Sequence, residues 1–284
     1  MTKKAVILCG GLATRFLPFT KSIPKEMLPI VNRPAIDYCI EDLRNNGITD
    51  ILVILGRGKE CLETYYDRNV ELEARLEASG KQTELQELNK IYDGVNISFM
   101  RQINARGTGY AVSLAKNFVG EDSFVLMFPD EIVLGDSITK QLIFAHERTQ
   151  TSILPLKRID VKDCSKYGMV EFKKEKKDYK IKSIVEKPDI KDCPSDMCYT
   201  GGGLFTKDIF EHLEKCKMHP NGEIYLTDAF QYLIANDALY GVEVDGLRLD
   251  FGTPIGFIKG NILAGLNRHD TREELVEFLR TLKY

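Results

Sequence analysis

The sequence has 284 residues, a length that allows one large α/β domain or two small ones. Its net charge of −3 gives no basic field for nucleic acid or an anionic membrane, and no apolar run approaches the length of a membrane span, so we expect neither partner. The seven cysteines form no C-x-x-C pair and no signal peptide opens the chain, which together predict reduced thiols, no zinc site and a cytoplasmic location.

Short apolar strands alternate with helical patterns along the chain, which predicts an α/β fold built on a doubly wound, mostly parallel sheet. Long strands are predicted at 5–9, 51–55, 95–99, 123–128 and 152–156, and shorter ones at 168–172, 179–185 and 199–205. Helices are predicted at 34–46, within 59–92 on both sides of Gly80, at 224–235 and at 254–266.

A last helix is predicted to begin at the capping box T-x-x-E of residues 271–274. Its apolar side chains recur at helical spacing on one face, namely Leu275, Phe278, Leu279 and Leu282. We expect this face to cover the core or, alternatively, a partner subunit.

A glycine-rich loop follows the first strand. Gly10 and Gly11 let the backbone approach a bulky ligand closely, with N–H groups that can point at it. Arg15 and Lys25 add two cations within the same stretch, so the loop favours a polyphosphate ligand. It matches neither the Walker pattern G-x-x-x-x-G-K-[ST] nor the dinucleotide pattern G-x-G-x-x-G. An ordinary glycine-rich turn between a strand and a helix is the alternative.

These residues resemble the signature Gly-Gly-x-Gly-Thr-Arg, followed by Pro-Lys, of the sugar-1-phosphate nucleotidylyltransferases. Within that family, the run Pro-Lys-Glu-Met-Leu-Pro-Ile-Val at 24–31 is similar to the bacterial branch that uses UTP and glucose 1-phosphate. One position departs from the signature, because Ala13 stands where the family usually has Gly. If this position requires a positive φ, Ala costs about 1 kcal/mol there.

The resemblance implies a Rossmann-like fold for nucleotide-diphospho-sugar transfer. A single domain would span 1–266, with a nucleotide half at about 1–150 and a sugar half, containing a small β subregion, at about 151–253. A C-terminal helix would follow at 267–284. The resemblance also implies a homo-oligomer, either a dimer or a tetramer.

Open α/β sheets bind ligands beyond the carboxyl ends of their strands, so the residues that follow each strand are the site candidates. After the third strand, the Gln102 amide offers a donor and an acceptor for the edge of a base such as uracil, and Gly107 can bring backbone against the same ring. This spacing is similar to the family's base-reading pair. The resemblance adds nucleotide contacts from the first strand and loop: Leu8, Gly10, Gly11, Ala13 and Thr14.

Two aspartates are candidate ligands of Mg²⁺. Asp130 follows the fourth strand, and a carboxylate there suits Mg²⁺, which binds through one or two carboxylates plus substrate phosphates. Asp250, in the run D-x-G-T, is similar to the family's second metal position, and a turn-forming Asp before Gly is the alternative. Glu131 is expected to point away from Asp130 because side chains alternate along an extended chain.

The runs Y-G-x-V at 167–170 and V-E-K-P at 185–188 are similar to the family's sugar-side motifs. The resemblance implies that the Gly168 backbone approaches the sugar, that Glu186 accepts hydrogen bonds from its hydroxyls and that Lys187 holds its phosphate. Thr200 and Gly201 resemble a further sugar contact, although the extra glycines at 202 and 203 depart from the pattern. For V-E-K-P alone, an exposed turn is the alternative.

The chemistry implied by these residues needs no general base. A sugar phosphate is already ionised at neutral pH because its second pKa is about 6, so it can attack the α-phosphorus of a nucleoside triphosphate directly. Catalysis then rests on placement and charge. In this assignment Arg15 clamps the outgoing phosphates, Lys25 holds the α-phosphate, Asp130 and Asp250 hold Mg²⁺, and Lys187 grips the sugar phosphate.

The predicted reaction is Mg²⁺-assisted, in-line transfer of UMP from UTP to α-D-glucose 1-phosphate, giving UDP-glucose and pyrophosphate. The same chemistry with dTTP, CTP or another sugar 1-phosphate is an alternative. A regulatory module on a degenerate fold of this family is a second alternative, which only Ala13 favours. A nicotinamide oxidoreductase is disfavoured because the dinucleotide pattern is absent.

Overall fold

A computed structural model describes residues 2–283 and contains, within that range, fourteen strands and eleven α-helices. The strands are β1 (Lys4–Cys9), β2 (Pro29–Ile30), β3 (Arg33–Pro34), β4 (Asp50–Leu55), β5 (Asn96–Arg101), β6 (Phe124–Met127), β7 (Glu131–Leu134), β8 (Ser152–Arg158), β9 (Gly168–Glu175), β10 (Asp178–Glu186), β11 (Met197–Tyr199), β12 (Gly203–Phe205), β13 (Leu239–Glu243) and β14 (Leu247–Asp250). The helices are α1 (Ala35–Asn45), α2 (Glu60–Tyr66), α3 (Val70–Ala78), α4 (Gln82–Asn89), α5 (Gly107–Ser113), α6 (Lys116–Val119), α7 (Ile138–Thr149), α8 (Asp208–Lys215), α9 (Leu226–Ala235), α10 (Pro254–Asn267) and α11 (His269–Thr281).

Ten of the strands form one sheet in the order β11-β9-β10-β13-β8-β12-β6-β1-β4-β5. Strands β6, β1, β4 and β5 pair in parallel, as the alternation of strands and helices predicts. In the second half of the chain the pairing is mainly antiparallel, and β13 lies parallel to β8. The predicted α/β fold is confirmed, but the expectation of a mostly parallel sheet is wrong, because the parallel region is concentrated around β1 and most pairings of the second half are antiparallel.

The apolar run of β1 is explained by burial on both faces of the sheet. Val6 and Leu8 pack into a core under helices α5, α8 and α9, whereas Ala5, Ile7 and Cys9 pack into a core under α1 and α7. A strand whose two faces are both covered has no polar side, and alternating residues supply both cores. Cys9, which ends the strand, is a core residue whose side chain is fully buried.

Two predicted elements are divided in the structure. The segment 59–92 contains three helices instead of two, because the chain is interrupted at 67–69 as well as at Gly80, and the Asn69 side chain caps α3 by accepting a hydrogen bond from the Leu72 amide at 3.0 Å. The predicted strand at 199–205 is split into β11 and β12. Gly201 and Gly202 adopt φ values of 98° and 67° between them, outside the extended region of a regular strand, and glycine reaches such values without steric cost.

The C-terminal helix begins earlier than predicted. Helix α11 starts at His269, so the predicted capping box is wrong, and the Thr271 hydroxyl donates instead to the Gly265 carbonyl at 2.8 Å. No residue of α11 that the structure describes is buried, and the Phe278 side chain is 57% exposed. Leu275 and Leu279 are half-buried and Leu275 packs beside Gly265 of α10, whereas Phe278 and Leu282 are exposed, so the same chain covers this face only in part.

Hydropathy and length together rule out a bilayer crossing for each helix found in residues 2–283.

Candidate active site

A cleft of about 720 Å³ opens at the carboxyl ends of β1, β5 and β6. Fourteen of the sixteen predicted site residues line it: Leu8, Gly10, Gly11, Ala13, Thr14, Lys25, Gln102, Gly107, Asp130, Gly168, Glu186, Lys187, Thr200 and Gly201. Arg15 and Asp250 lie outside its wall, although both side chains reach its edge, as described below. The rule that ligands bind beyond the carboxyl ends of strands therefore located this cleft correctly.

The glycine-rich loop is tightly packed at Gly10 and strained at Ala13. A Cβ on Gly10 would lie 2.0 Å from the Gln102 amide nitrogen, so a larger residue at position 10 would displace the Gln102 side chain. Ala13 adopts φ 51° and ψ 40°, which confirms that this position requires a positive φ. The Ala13 carbonyl is held there by the Thr20 hydroxyl at 2.8 Å and the Phe16 amide at 3.0 Å. The loop thus keeps the shape that a glycine would favour, at a cost of about 1 kcal/mol.

Gln102 lines the cleft and carries an unsatisfied acceptor. Its side chain is 7% exposed, and within residues 2–283 its Oε1 atom has no hydrogen-bond partner. A buried acceptor without a partner costs free energy until a ligand supplies a donor. Gly107 has φ 86°, and a Cβ there would lie 2.5 Å from the Ile224 carbonyl oxygen, so its glycine is also required by the packing of α5 against the start of α9.

Lys25 and Asp130 form an ion pair in the cleft, with Lys25 Nζ 2.5 Å from Asp130 Oδ2. Burial lowers the pKa of Lys25, but the charge of Asp130, the hydrogen bond to it and the charge of Glu26 together raise the pKa above its ordinary value. The side chain is therefore cationic at neutral pH. The neighbouring Glu26 is buried and accepts from Lys59 Nζ at 2.7 and 2.8 Å, which anchors the short 3₁₀ helix Lys25–Met27.

The two predicted metal ligands meet because β7 and β14 form a separate antiparallel ribbon. The Phe251 amide donates to the Asp130 carbonyl at 2.8 Å, and the Gly252 amide donates to Asp250 Oδ1 at 2.8 Å. These two bonds place the aspartates on either side of Gly252.

The space at Gly252 fits a divalent cation. A Cβ on Gly252 would lie 3.1 Å from Asp250 Oδ1, 3.5 Å from Asp130 Oδ2 and 3.8 Å from Arg15 Nη1. Two carboxylates that converge on one small space, with the other coordination positions left to substrate oxygens and water, are the arrangement that Mg²⁺ prefers. Within residues 2–283, no group of three or more His, Cys, Asp or Glu side chains could hold a metal by itself.

The predicted sugar-side residues lie together on the opposite side of the cleft. Gly168 pairs with Glu186 across β9 and β10, and a Cβ on Gly168 would lie 3.1 Å from Glu186 Oε2. Lys187 Nζ lies 3.2 Å from Glu186 Oε1, and the Lys187 amide donates to the Tyr167 carbonyl at 3.0 Å. Thr200 is buried, and its amide donates to the Pro155 carbonyl at 3.2 Å.

Five charged residues of the cleft were not among the predicted ones, and two of them, Glu131 and Arg248, form an ion pair. Glu131 lines the cleft, so the expectation that it points elsewhere is wrong: the chain turns at Pro129 and Asp130, where the Glu131 amide donates to the Phe128 carbonyl at 3.0 Å. Arg248 pairs with Glu131, and its place two residues before Asp250 on a strand is the signal that could have revealed it. Burial, together with the charges of Asp250 and Asp130, raises the pKa of Glu131 against the opposing effect of Arg248.

Carboxylates and cations gathered beside a glycine-rich loop suit the transfer of nucleotides, and the fold is that of an α/β nucleotide-binding enzyme. The family model described as Nucleotidyl transferase matches residues 4–263, and the chain belongs to this family. It is therefore a nucleotidyltransferase, as the motifs of the first loop predict.

Several relatives match over nearly the whole chain. A UTP–glucose-1-phosphate uridylyltransferase 2 of Staphylococcus saprophyticus is 37% identical over 99% of this chain and 98% of its own length, and a UTP–glucose-1-phosphate uridylyltransferase of Bacillus subtilis is 36% identical over 99% and 98%. A UTP-bound UGPase of Acinetobacter baumannii is 32% identical, covers 100% of both chains and superposes with a TM-score of 0.93. The resemblance to the uridylyltransferase branch is confirmed.

Proposed function

We propose that the protein transfers UMP from UTP to α-D-glucose 1-phosphate and releases pyrophosphate, forming UDP-glucose. The observation that carries this proposal is the meeting of Asp130, Asp250 and Arg15 around Gly252, with Lys25 bonded to Asp130, at the edge of the cleft. The names of the relatives supply the substrates, and the residues of the cleft supply a matching set of charges.

The nucleotide would lie over the first loop. Gly10 and Gly11 line the cleft, and Leu8, Ala13 and Thr14 line the same wall. The unsatisfied Oε1 of Gln102 would accept from the N3–H group of uracil, and the amide nitrogen beside it would donate to a ring carbonyl. Gly107 completes this wall of the cleft.

The reacting phosphates would lie between Lys25 and the two aspartates. Asp130 and Asp250 would hold a divalent cation, which we propose is Mg²⁺; when bound, it neutralises phosphate charge and polarises the α-phosphate. Lys25 would stabilise the charge that develops on the α-phosphate, and Arg15 would bind the outgoing pyrophosphate from the rim. No residue is required to remove a proton, since the attacking phosphate is already ionised.

The sugar phosphate would lie on the β9–β10 side. Lys187 would bind its phosphate, and Glu186 would accept from sugar hydroxyls while the Gly168 backbone leaves room for the ring. Thr200 and Gly201 would form the floor of the cleft beneath the sugar. We accordingly propose that residues of about 151–253 act as the sugar half and those of about 1–150 as the nucleotide half of one domain, 1–266.

Pyrophosphate release tests this proposal directly. UTP, dTTP and CTP are each combined with glucose 1-phosphate and with a second sugar 1-phosphate, in Mg²⁺ or in chelator. We expect the UTP and glucose 1-phosphate pair to be fastest and to require Mg²⁺. Because dTTP differs from UTP by the methyl group of its base and by the missing 2′-hydroxyl, we expect it to react about 10-fold or more slowly. A faster reaction with dTTP or CTP would show that UTP is not the preferred nucleotide substrate.

We also propose that the protein is a cytoplasmic homo-oligomer. The apolar side chains of Phe278 and Leu282 are 57% and 40% exposed, and a second copy of the chain would cover them. The mass of the protein in solution, measured by sedimentation, tests this oligomeric state.

A further inference from the structure

Arg248 and Glu131 form an ion pair in the cleft that none of the proposed substrate contacts uses. Arg248 Nε donates to Glu131 Oε2 at 2.8 Å, and Nη2 donates to Oε1 at 2.8 Å. The side chains are 14% and 26% exposed, respectively. A bidentate pair between a planar guanidinium and a carboxylate fixes both position and orientation, which a lysine cannot do.

This pair joins the two strands that carry the aspartates. Asp250 lies opposite Glu131 in the β7–β14 ribbon, and Arg248 lies opposite Val133. Because side chains alternate along a strand, Arg248, Asp250 and Glu131 share one face of the ribbon, and the ion pair runs diagonally across it. Asp130 directly precedes Glu131. The pair therefore braces the ribbon beside the two carboxylates at Gly252.

The same guanidinium also supports the sugar side of the cleft. It lies 5.1 Å from the centre of the Tyr167 ring, within the range of a cation–π interaction. The Tyr167 carbonyl accepts from the Lys187 amide at 3.0 Å. Lys187 has φ 48°, a left-handed conformation that a non-glycine residue keeps only when its surroundings hold it. Tyr167 supplies part of that support.

We propose that Arg248 is a positioning residue that couples the two anchoring sites: through Glu131 it spaces the aspartates, and through Tyr167 it orients Lys187. The inference rests on the proposed function, which assigns a divalent cation to Asp130 and Asp250 and the sugar phosphate to Lys187. Its consequence is that a single substitution at Arg248, to which the proposed function assigns no substrate contact, weakens both anchoring sites together.

The test compares Arg248→Lys with a matched control, Arg33→Lys. Arg33 makes the same types of contact outside the cleft, donating to Asp37 at 3.0 Å and to Glu41 at 2.8 Å and lying 5.0 Å from the Tyr38 ring. Three quantities are measured in the full-length protein: the affinity of the UTP complex for Mn²⁺ by electron paramagnetic resonance, the KM for glucose 1-phosphate, and the thermal midpoint.

We expect Arg248→Lys to weaken Mn²⁺ binding and to raise the KM for glucose 1-phosphate, each by about 10-fold to 100-fold, as is usual when a supporting partner is lost. Arg33→Lys should change the thermal midpoint alone. Equal Mn²⁺ affinity and equal KM in the two variants would overturn the proposal.

Two further variants separate the effect of the Arg248–Glu131 contact from that of the Arg248–Tyr167 contact. Glu131→Gln should weaken Mn²⁺ binding by a larger factor than it raises the KM for glucose 1-phosphate. Tyr167→Leu, which keeps the backbone carbonyl, should raise that KM and leave Mn²⁺ affinity unchanged. An unchanged KM in Tyr167→Leu would refute the coupling. If the unmodified protein binds no Mn²⁺ and releases no pyrophosphate, the proposed function itself fails, and that result is distinct from equal behaviour of the Arg248 and Arg33 variants.

Discussion

Replacement of Lys25 by Ala removes the cation that lies closest to Asp130. The ammonium group is 2.5 Å from the Asp130 carboxylate and its side chain is 20% exposed, so its charge acts where water is largely excluded. In the proposed reaction this charge stabilises the transition state as an oxyanion donor does. Loss of such a donor typically costs about 2.7–4 kcal/mol, which is a fall of about 10²-fold to 10³-fold in turnover.

The assay is pyrophosphate release from UTP and glucose 1-phosphate, with the thermal midpoint as a check of folding. Lys116→Ala is a matched control, because Lys116 Nζ also lies 2.5 Å from a carboxylate, that of Glu214, but on the exposed surface and outside the cleft. We expect the control to keep its turnover, since exposed pairs contribute little. Near-normal turnover in a folded Lys25→Ala variant would refute the role given to Lys25.

Three further predictions concern stability and assembly. Ala13→Gly should raise the free energy of unfolding by about 1 kcal/mol in urea denaturation, since it relieves the left-handed alanine, and a lower value would contradict that account. Glu26→Ala leaves Lys59 buried without its partner and should cost about 3–5 kcal/mol by the same measurement, whereas a cost below about 1 kcal/mol would show that the pair is not desolvated. Phe278→Glu, on the exposed face of α11, should lower the mass seen by sedimentation, whereas Glu277→Gln on the same helix should not; a protein that is monomeric before substitution would exclude the homo-oligomer.

The features that were predictable from the sequence are those set by neighbours in the chain. The apolar run of β1, the glycines after it and the carboxylate that follows β6 are local patterns, and the parallel strands bring their carboxyl ends to one edge of the sheet. This rule is enough to bring Gln102 and Asp130 into one cleft with the first loop. It needs no knowledge of how the side chains pack.

The features that were missed depend on contacts between distant segments. Arg248 and Glu131 are 117 residues apart, and their meeting depends on the β7–β14 ribbon, which lies outside the main sheet. The turn at Asp130 reverses the alternation that would have pointed Glu131 elsewhere. At the C-terminus, the T-x-x-E pattern is a sound local signal, but α11 already begins at His269 and the end of α10 takes the Thr271 hydroxyl.

Titration of Mn²⁺ into the UTP complex tests the central claim most directly. In the unmodified protein we expect one ion per active site, and both Asp130→Asn and Asp250→Asn should weaken its binding by at least about 10-fold. Asp237→Asn, an exposed aspartate paired with Lys180 far along the sheet, should bind as the unmodified protein does. Equal binding in all four proteins would contradict the account, because the carboxylates at Gly252 would then play no part in holding the cation.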